Sequence, residues 1–212
     1  MVAQQEPGVS TDALTGVQAL ERKAPGLPLV PGKVERWEFA YIWHGICACI
    51  LSRNVVTGQS VAPYCGATRT EADFSTHVQA VVVSDPSVRW WHFVVDNLAI
   101  HRSALRVRVV TAESKLELGE KGKRGMLANR QARAAFLSDP SHRLVFHCTP
   151  KHTSWMNQIE IWLSLLVRRL LKRGSFLSVA DLKSKILAFI DDDNRTMAKP
   201  FTWMYQGTVL VA

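Results

Sequence analysis

Between Thr149 and Arg173 the sequence runs TPKHTSWMNQIEIWLSLLVRRLLKR, a strand closed by proline that leads into a long amphipathic helix. This stretch restricts the fold most, because it sets an acid on the apolar stripe of a helix. At roughly 100° per residue, Glu160 falls within about 60° of Asn157, Leu163, Ser164, Val167 and Leu171. Arg168, Arg169, Lys172 and Arg173 fall on the other side. An ionised carboxylate on a core-facing stripe is costly unless a cation meets it, and a divalent metal is one such cation. The plainer reading is that Glu160, near a helix start capped by Thr153 or Ser154, answers the helix dipole and stays solvated.

With 212 residues, 47% of them hydrophobic, the chain can bury a sizeable core and is expected to form one α/β domain. Lys and Arg total 26 against 18 Asp and Glu, a net charge of +8 that favours a polyanionic partner. Cys47, Cys49, Cys65 and Cys148 lack paired CxxC spacing and read as small core residues in a reduced, cytoplasmic setting. Cys47 and Cys49 would share one face of a strand, which leaves a zinc site conceivable. No apolar run is long enough to cross a bilayer, and residues 1–15 lack the pattern of a signal peptide. A small-molecule cofactor is not expected.

Residues 1–11, MVAQQEPGVST, are mostly polar, carry Pro7 and Gly8, and read as a poorly structured or truncated start that would make a poor central strand. A domain spanning 12–212 follows. Residues 24–33 form an irregular connection rich in proline and glycine. From Trp37 to Val56 aromatic and β-branched residues dominate, Thr57-Gly58 interrupts them, and QSVAPY resumes, as in a hairpin. Thr70 with Glu71 and Asp73 marks a helix start, with Phe74, Val78, Val81 and Val82 inward and Asp85-Pro86 as the stop.

WWHFVVDNLAIH (90–101) is a short apolar run that stops at Asp96-Asn97, which places Asp96 at a strand's carboxyl end, where α/β sheets put their chemistry. An ordinary Asx turn or helix cap explains Asp96 equally simply. Asn97 and His101 could donate to groups around it. Residues 102–133 are strongly basic, and KGKRG, with Lys121, Lys123 and Arg124, suits phosphate contact or a solvated insertion. A helix over 127–137, a strand over 143–148 and, after Gly174, a further helix begun by Ser178 and Asp181 complete the pattern.

Three strands, then helix, strand, helix, strand, helix, would suit a ribonuclease-H-like α/β sheet flanked by helices, with the basic insertion before the last catalytic helix. In such a sheet Asp12, Asp96 and Glu160 would converge to hold two Mg²⁺ or Mn²⁺ ions about 3.5 to 4 Å apart for phosphodiester chemistry.

VVDNLAIH (94–101), HCTPKHTSWMNQIEIW (147–162), RRLLKRGSFLSVADLK (168–183) and NRTMAKPFTWMYQG (194–207) resemble the catalytic domain of bacterial insertion-sequence transposases of the mariner-like DDE superfamily, as does 11–39. The resemblance implies metal-dependent cleavage and strand transfer of DNA, with Asp12, Asp96 and Glu160 as the metal ligands. It implies site-shaping or DNA-positioning roles for Asn97, His101, His152, Trp155 and Asn157. Arg168, Arg169, Lys172 and Arg173 would join the basic insertion on the DNA backbone. The expected partners are transposon ends, target DNA and a second copy of the chain. Ala13, Ala40, Trp43 and Ile46 depart from the family pattern, and an inactive, truncated transposase remnant that binds DNA without sequence preference and without catalysis is the competing expectation.

Overall fold

The computed structural model describes residues 7–96, 107–111, 127, 129–150 and 153–201, apart from the side chains of Arg130 and Ser154. Its centre is β1, Gly8–Arg22. This corrects the reading of residues 1–11 as a poor central strand: Gly8–Thr11 form the opening of that strand, and Pro7 stands just before it. Val9, Ser10 and Thr11 are fully buried between two layers, so tertiary cover makes a central strand of a segment in which only Val9 and Thr11 favour one. Further along, the pairing with the next strand shifts between Leu14 and Val17, where Gly16 adopts φ +66°. A bulge of this kind adds one residue and changes the alternation. Leu14 and Val17 therefore pack against the same core although they stand three positions apart.

The expected hairpin is present as β2, Tyr41–Asn54, and β3, Ser60–Gly66. Helix α1, Glu71–Ser84, starts at Thr70 with a reciprocal cap in which Thr70 and Asp73 satisfy each other's backbone N–H groups. Strand β4, Trp91–Val95, helix α2, Arg130–Leu137, and strand β5, Leu144–Cys148, follow. The strands lie in the order β3-β2-β1-β4-β5. β2 is antiparallel to both neighbours, while β1, β4 and β5 run parallel. This mixed sheet with helices on both faces is the ribonuclease-H-like arrangement that the element order suggests.

One face of the sheet packs Val9, Ile50, Phe93 and Phe146 against Phe74, Val78 and Val81 of α1. The other packs Leu51, Cys49 and Ala19 against α3, Ile159–Leu166, and α4, Val179–Thr196. Between them α3 widens into a π turn, Val167–Leu171, and Gly174 N–H closes on the Leu170 carbonyl at 2.8 Å. Across the second layer the Arg53 guanidinium meets Asp193 at 3.0 Å, and the Trp162 indole N–H donates to the same carboxylate at 2.8 Å.

The start of α3 differs from the expectation that Thr153 or Ser154 caps it. Ser154–Met156 form a separate 3-10 turn, and Gln158 precedes α3 without a side-chain cap. Thr153 turns back to the Pro150 carbonyl. The free N–H of Ile159 is instead taken by the Ser10 hydroxyl of β1 at 2.9 Å, which satisfies an end group that a helix cannot satisfy itself.

Candidate active site

Asp12 lies in the middle of the central strand, 7% exposed, with its side chain on the face that α3 covers. The parallel pairing of Ser10 with Val94, continued by two residues, sets Asp12 level with Asp96 just past the end of β4. Glu160 is the second residue of α3 and half-buried. The Asp12 and Glu160 carboxyls are within hydrogen-bonding reach, and Asp96 is near enough to repel Asp12 electrostatically. The structure thus pairs Asp12 with Glu160, 148 residues apart in sequence, and sets Asp96 within electrostatic range of Asp12.

Their proximity shows in the chemistry of Asp12. Burial, with lesser contributions from Glu160 and Asp96, pushes its carboxyl up to about 7, against a single opposing hydrogen bond from the Ala13 N–H. A carboxyl that holds its proton near neutrality because it is buried, with two further carboxyls beside it, sits where positive charge is lacking. Oxygen donors on a central strand, at a strand end and on a helix are the donor set that hard divalent cations take. The residues present therefore fit magnesium or manganese. Asp12, Ala13, Leu14, Glu160, Leu163, Ser164, Val167 and Arg168 line the open cleft above them.

Asn157 holds the two sides of this site together. It is fully buried, accepts a hydrogen bond from the Ser10 hydroxyl, donates to the Thr11 carbonyl at 3.1 Å, and its carbonyl accepts from Glu160 N–H at 3.0 Å. Ser10 is the partner that the sequence alone did not reveal, because nothing local marks a strand serine as the acceptor for a helix start. Trp155, by contrast, is half exposed on the 3-10 turn. Arg168 lies beside the acids as part of the cleft lining, a correction to its expected place on the far side of the helix. Eight residues from Glu160 amounts to an offset of only about 80°, and the Arg168 side chain folds back to the Ser164 carbonyl. Arg169, Lys172 and Arg173 are exposed further along. Asn97, His101, Lys121, Lys123, Arg124 and His152 fall outside the described residues, and with them most of the basic insertion. Ala13 packs toward the α1 side, so the residue that departs from the family pattern there faces away from the acids.

The model of the DDE superfamily endonucleases matches residues 11–183. The chain belongs to that family. The match begins one residue before Asp12 and takes in Asp96 and Glu160. No curated protein sequence matches the chain. Among solved structures, a remote likeness is found to the Mos1 mariner paired end complex with Mn, at 10% identity and a TM-score of 0.34 over 93% of this chain and 57% of that one. The Mos1 mariner paired end complex with Mg gives 12% identity and a TM-score of 0.32 over 95% and 58%. This DDE-family chain thus spans a little under three fifths of the length of those proteins. No described helix is long and apolar enough to cross a membrane.

Proposed function

We propose that this chain is the catalytic domain of a mariner-like transposase, which cuts DNA at transposon ends and joins the freed 3′ hydroxyl to target DNA. The convergence of Asp12, Asp96 and Glu160 in a chain of the DDE endonuclease family carries this reading. A pair of magnesium or manganese ions held by these carboxylates would activate the attacking oxygen and stabilise the leaving one. The chain's own part is to keep the acids aligned and to seat the backbone. Asn157 and Ser10 lock the helix to the strand, so the acids are placed before any ligand arrives. Arg168, in the cleft wall, is positioned to take a phosphate next to the scissile bond, and Arg169, Lys172 and Arg173 extend that contact along the strand. The basic residues of 102–133 add sequence-independent affinity, which should fall steeply with salt.

We assign the second copy of the chain to the outer arm, residues 23–46. Phe39 is 88% exposed, Val34 75%, Leu29 74% and Trp43 62%, an apolar surface that a monomer rarely leaves uncovered. The decisive test is nicking of supercoiled DNA bearing the terminal repeats, with magnesium, by the chain and its Glu160→Gln variant. Nicking should fall to background in the variant while the metal-free melting temperature stays the same or rises, because a repelling charge is gone. Undiminished nicking by Glu160→Gln would overturn the assignment. Binding without cleavage by the unaltered chain would favour the non-catalytic reading.

A further inference from the structure

On the face of the sheet away from α1, Cys47, Cys49 and Cys65 bring their sulfurs within 4.8 Å of one another, all buried. Cys49 and Cys65 are direct partners across β2 and β3, with their sulfurs 2.9 Å apart. We propose that Cys49 and Cys65 form an oxidation site, a thiol pair that peroxide converts to a cross-strand disulfide. Directly opposed residues of an antiparallel pair have Cα atoms about 4.5 to 5.5 Å apart, inside the span a disulfide accepts. A shared metal ion fits less well. Two thiolates on one zinc stand roughly 3.8 Å apart at bond lengths of about 2.3 Å, so an ion would have to push the pair apart. It would also bring charge into a core of Leu166, Phe176 and Ile186, with three ligands and no fourth among the described residues. A disulfide draws the sulfurs together and removes two S–H groups from that core.

Cys65 is the sulfur that reacts first. Its thiol is held below the usual range by the hydrogen bond from Cys49 and by the charge of Lys183, although burial opposes this, while Cys49 is pushed up. It also sits on β3, an edge strand, which opens at less cost than a central one. The Cys65 thiolate attacks one oxygen of hydrogen peroxide, an S–O bond forms as the O–O bond breaks, and hydroxide leaves. The Cys49 sulfur then attacks the sulfur of the Cys65 sulfenic acid. The S–S bond forms, the S–O bond breaks, and the hydroxyl departs as water with the Cys49 proton. Two thiols and one peroxide give one disulfide and two waters.

The test treats the folded, unaltered protein with a small excess of hydrogen peroxide, blocks remaining thiols after unfolding, and digests with trypsin. Cleavage after Arg36, Arg53 and Arg69 puts Cys47 and Cys49 on residues 37–53 and Cys65 on 54–69. The expected product is a cross-link of these two peptides, lighter by two hydrogens than their sum, with Cys47 blocked and Cys49 bonded in fragmentation. The Cys47→Ser variant should give the same cross-link, and Cys65→Ser should abolish it. Bonding of Cys47 to Cys49 within one peptide, oxidation confined to Cys148, or a bound zinc or copper ion in the purified protein that protects all three thiols would each overturn the proposal.

Discussion

Along the paired strands β1 and β2, the half in which Val9–Leu14 face Cys49–Asn54 is sealed, whereas the half in which Leu20–Arg22 face Tyr41–Trp43 lies open. Both halves hold apolar and aromatic residues, so strand propensity does not separate them. Cover does. The inner half lies between α1 on one side and α3 with α4 on the other, and there Asp12 is held among buried neighbours. At the outer half the Arg22 guanidinium stacks over Trp37 and Tyr41 at 5.1 Å each, and the remaining rings face solvent. A strand can therefore serve as a rigid mount at one end and as an uncovered surface at the other, according to what packs on it.

The contrast predicts a graded series of effects. Arg53→Ala, at the sealed end, leaves Asp193 buried without its cation and should cost about 3 to 5 kcal/mol, read as a lower denaturant midpoint. A stability unchanged within about 0.5 kcal/mol would show that this end is less sealed than its burial indicates. Next, Asp12 has an ordinary value of 3.8 in the unfolded chain and about 7 in the metal-free fold. Between those pH values the folded protein keeps a proton that the unfolded chain has released, so stability falls as pH rises from about 4 to about 7 and stays low above it. The loss is at most about 4 kcal/mol. Melting curves at pH 5 and pH 8 should show it, Asp12→Asn should flatten it, and magnesium should reverse it at the higher pH.

Ser10→Ala removes the acceptor for Ile159 N–H and one partner of Asn157, with an expected cost of about 1 to 3 kcal/mol. A loss of cleavage larger than this destabilisation explains would mark Ser10 as a positioning residue. At the open end, Phe39→Ser and Trp43→Ser should move monomer stability by no more than about 0.5 kcal/mol yet abolish self-association in sedimentation runs. If both instead destabilise the monomer strongly, the arm packs on its own chain and the comparison fails.

Much of the layout is visible in the sequence, because β2, α1 and β4 carry their own signals: β-branched runs, the cap formed by Thr70 and Asp73, and a stop at Asp85. The opening of β1 carries only Val9 and Thr11, too short a signal to stand against Pro7 and Gly8. Gly8, Val9, Ser10 and Thr11 become strand because other elements bury them. The start of α3 departs from its local signal for a related reason, since Thr153 and Ser154 satisfy the local rule for a cap while the acceptor comes from a strand more than 140 residues earlier. Similarly, Cys47 and Cys49 can be placed on one face by counting, but Cys65 joins them through a pairing register that only the fold determines.

The Ser10 and Asn157 clip also governs how this site can change. Asp12 stands two positions beyond the clip on a strand, and Glu160 stands three beyond it at a helix start. Side chains on a strand alternate between faces, so a single residue gained or lost between Ser10 and Asp12 would turn that acid toward α1. The interval permits replacement but no change of length: the carboxylates stay opposed through many substitutions and part company at the first insertion or deletion.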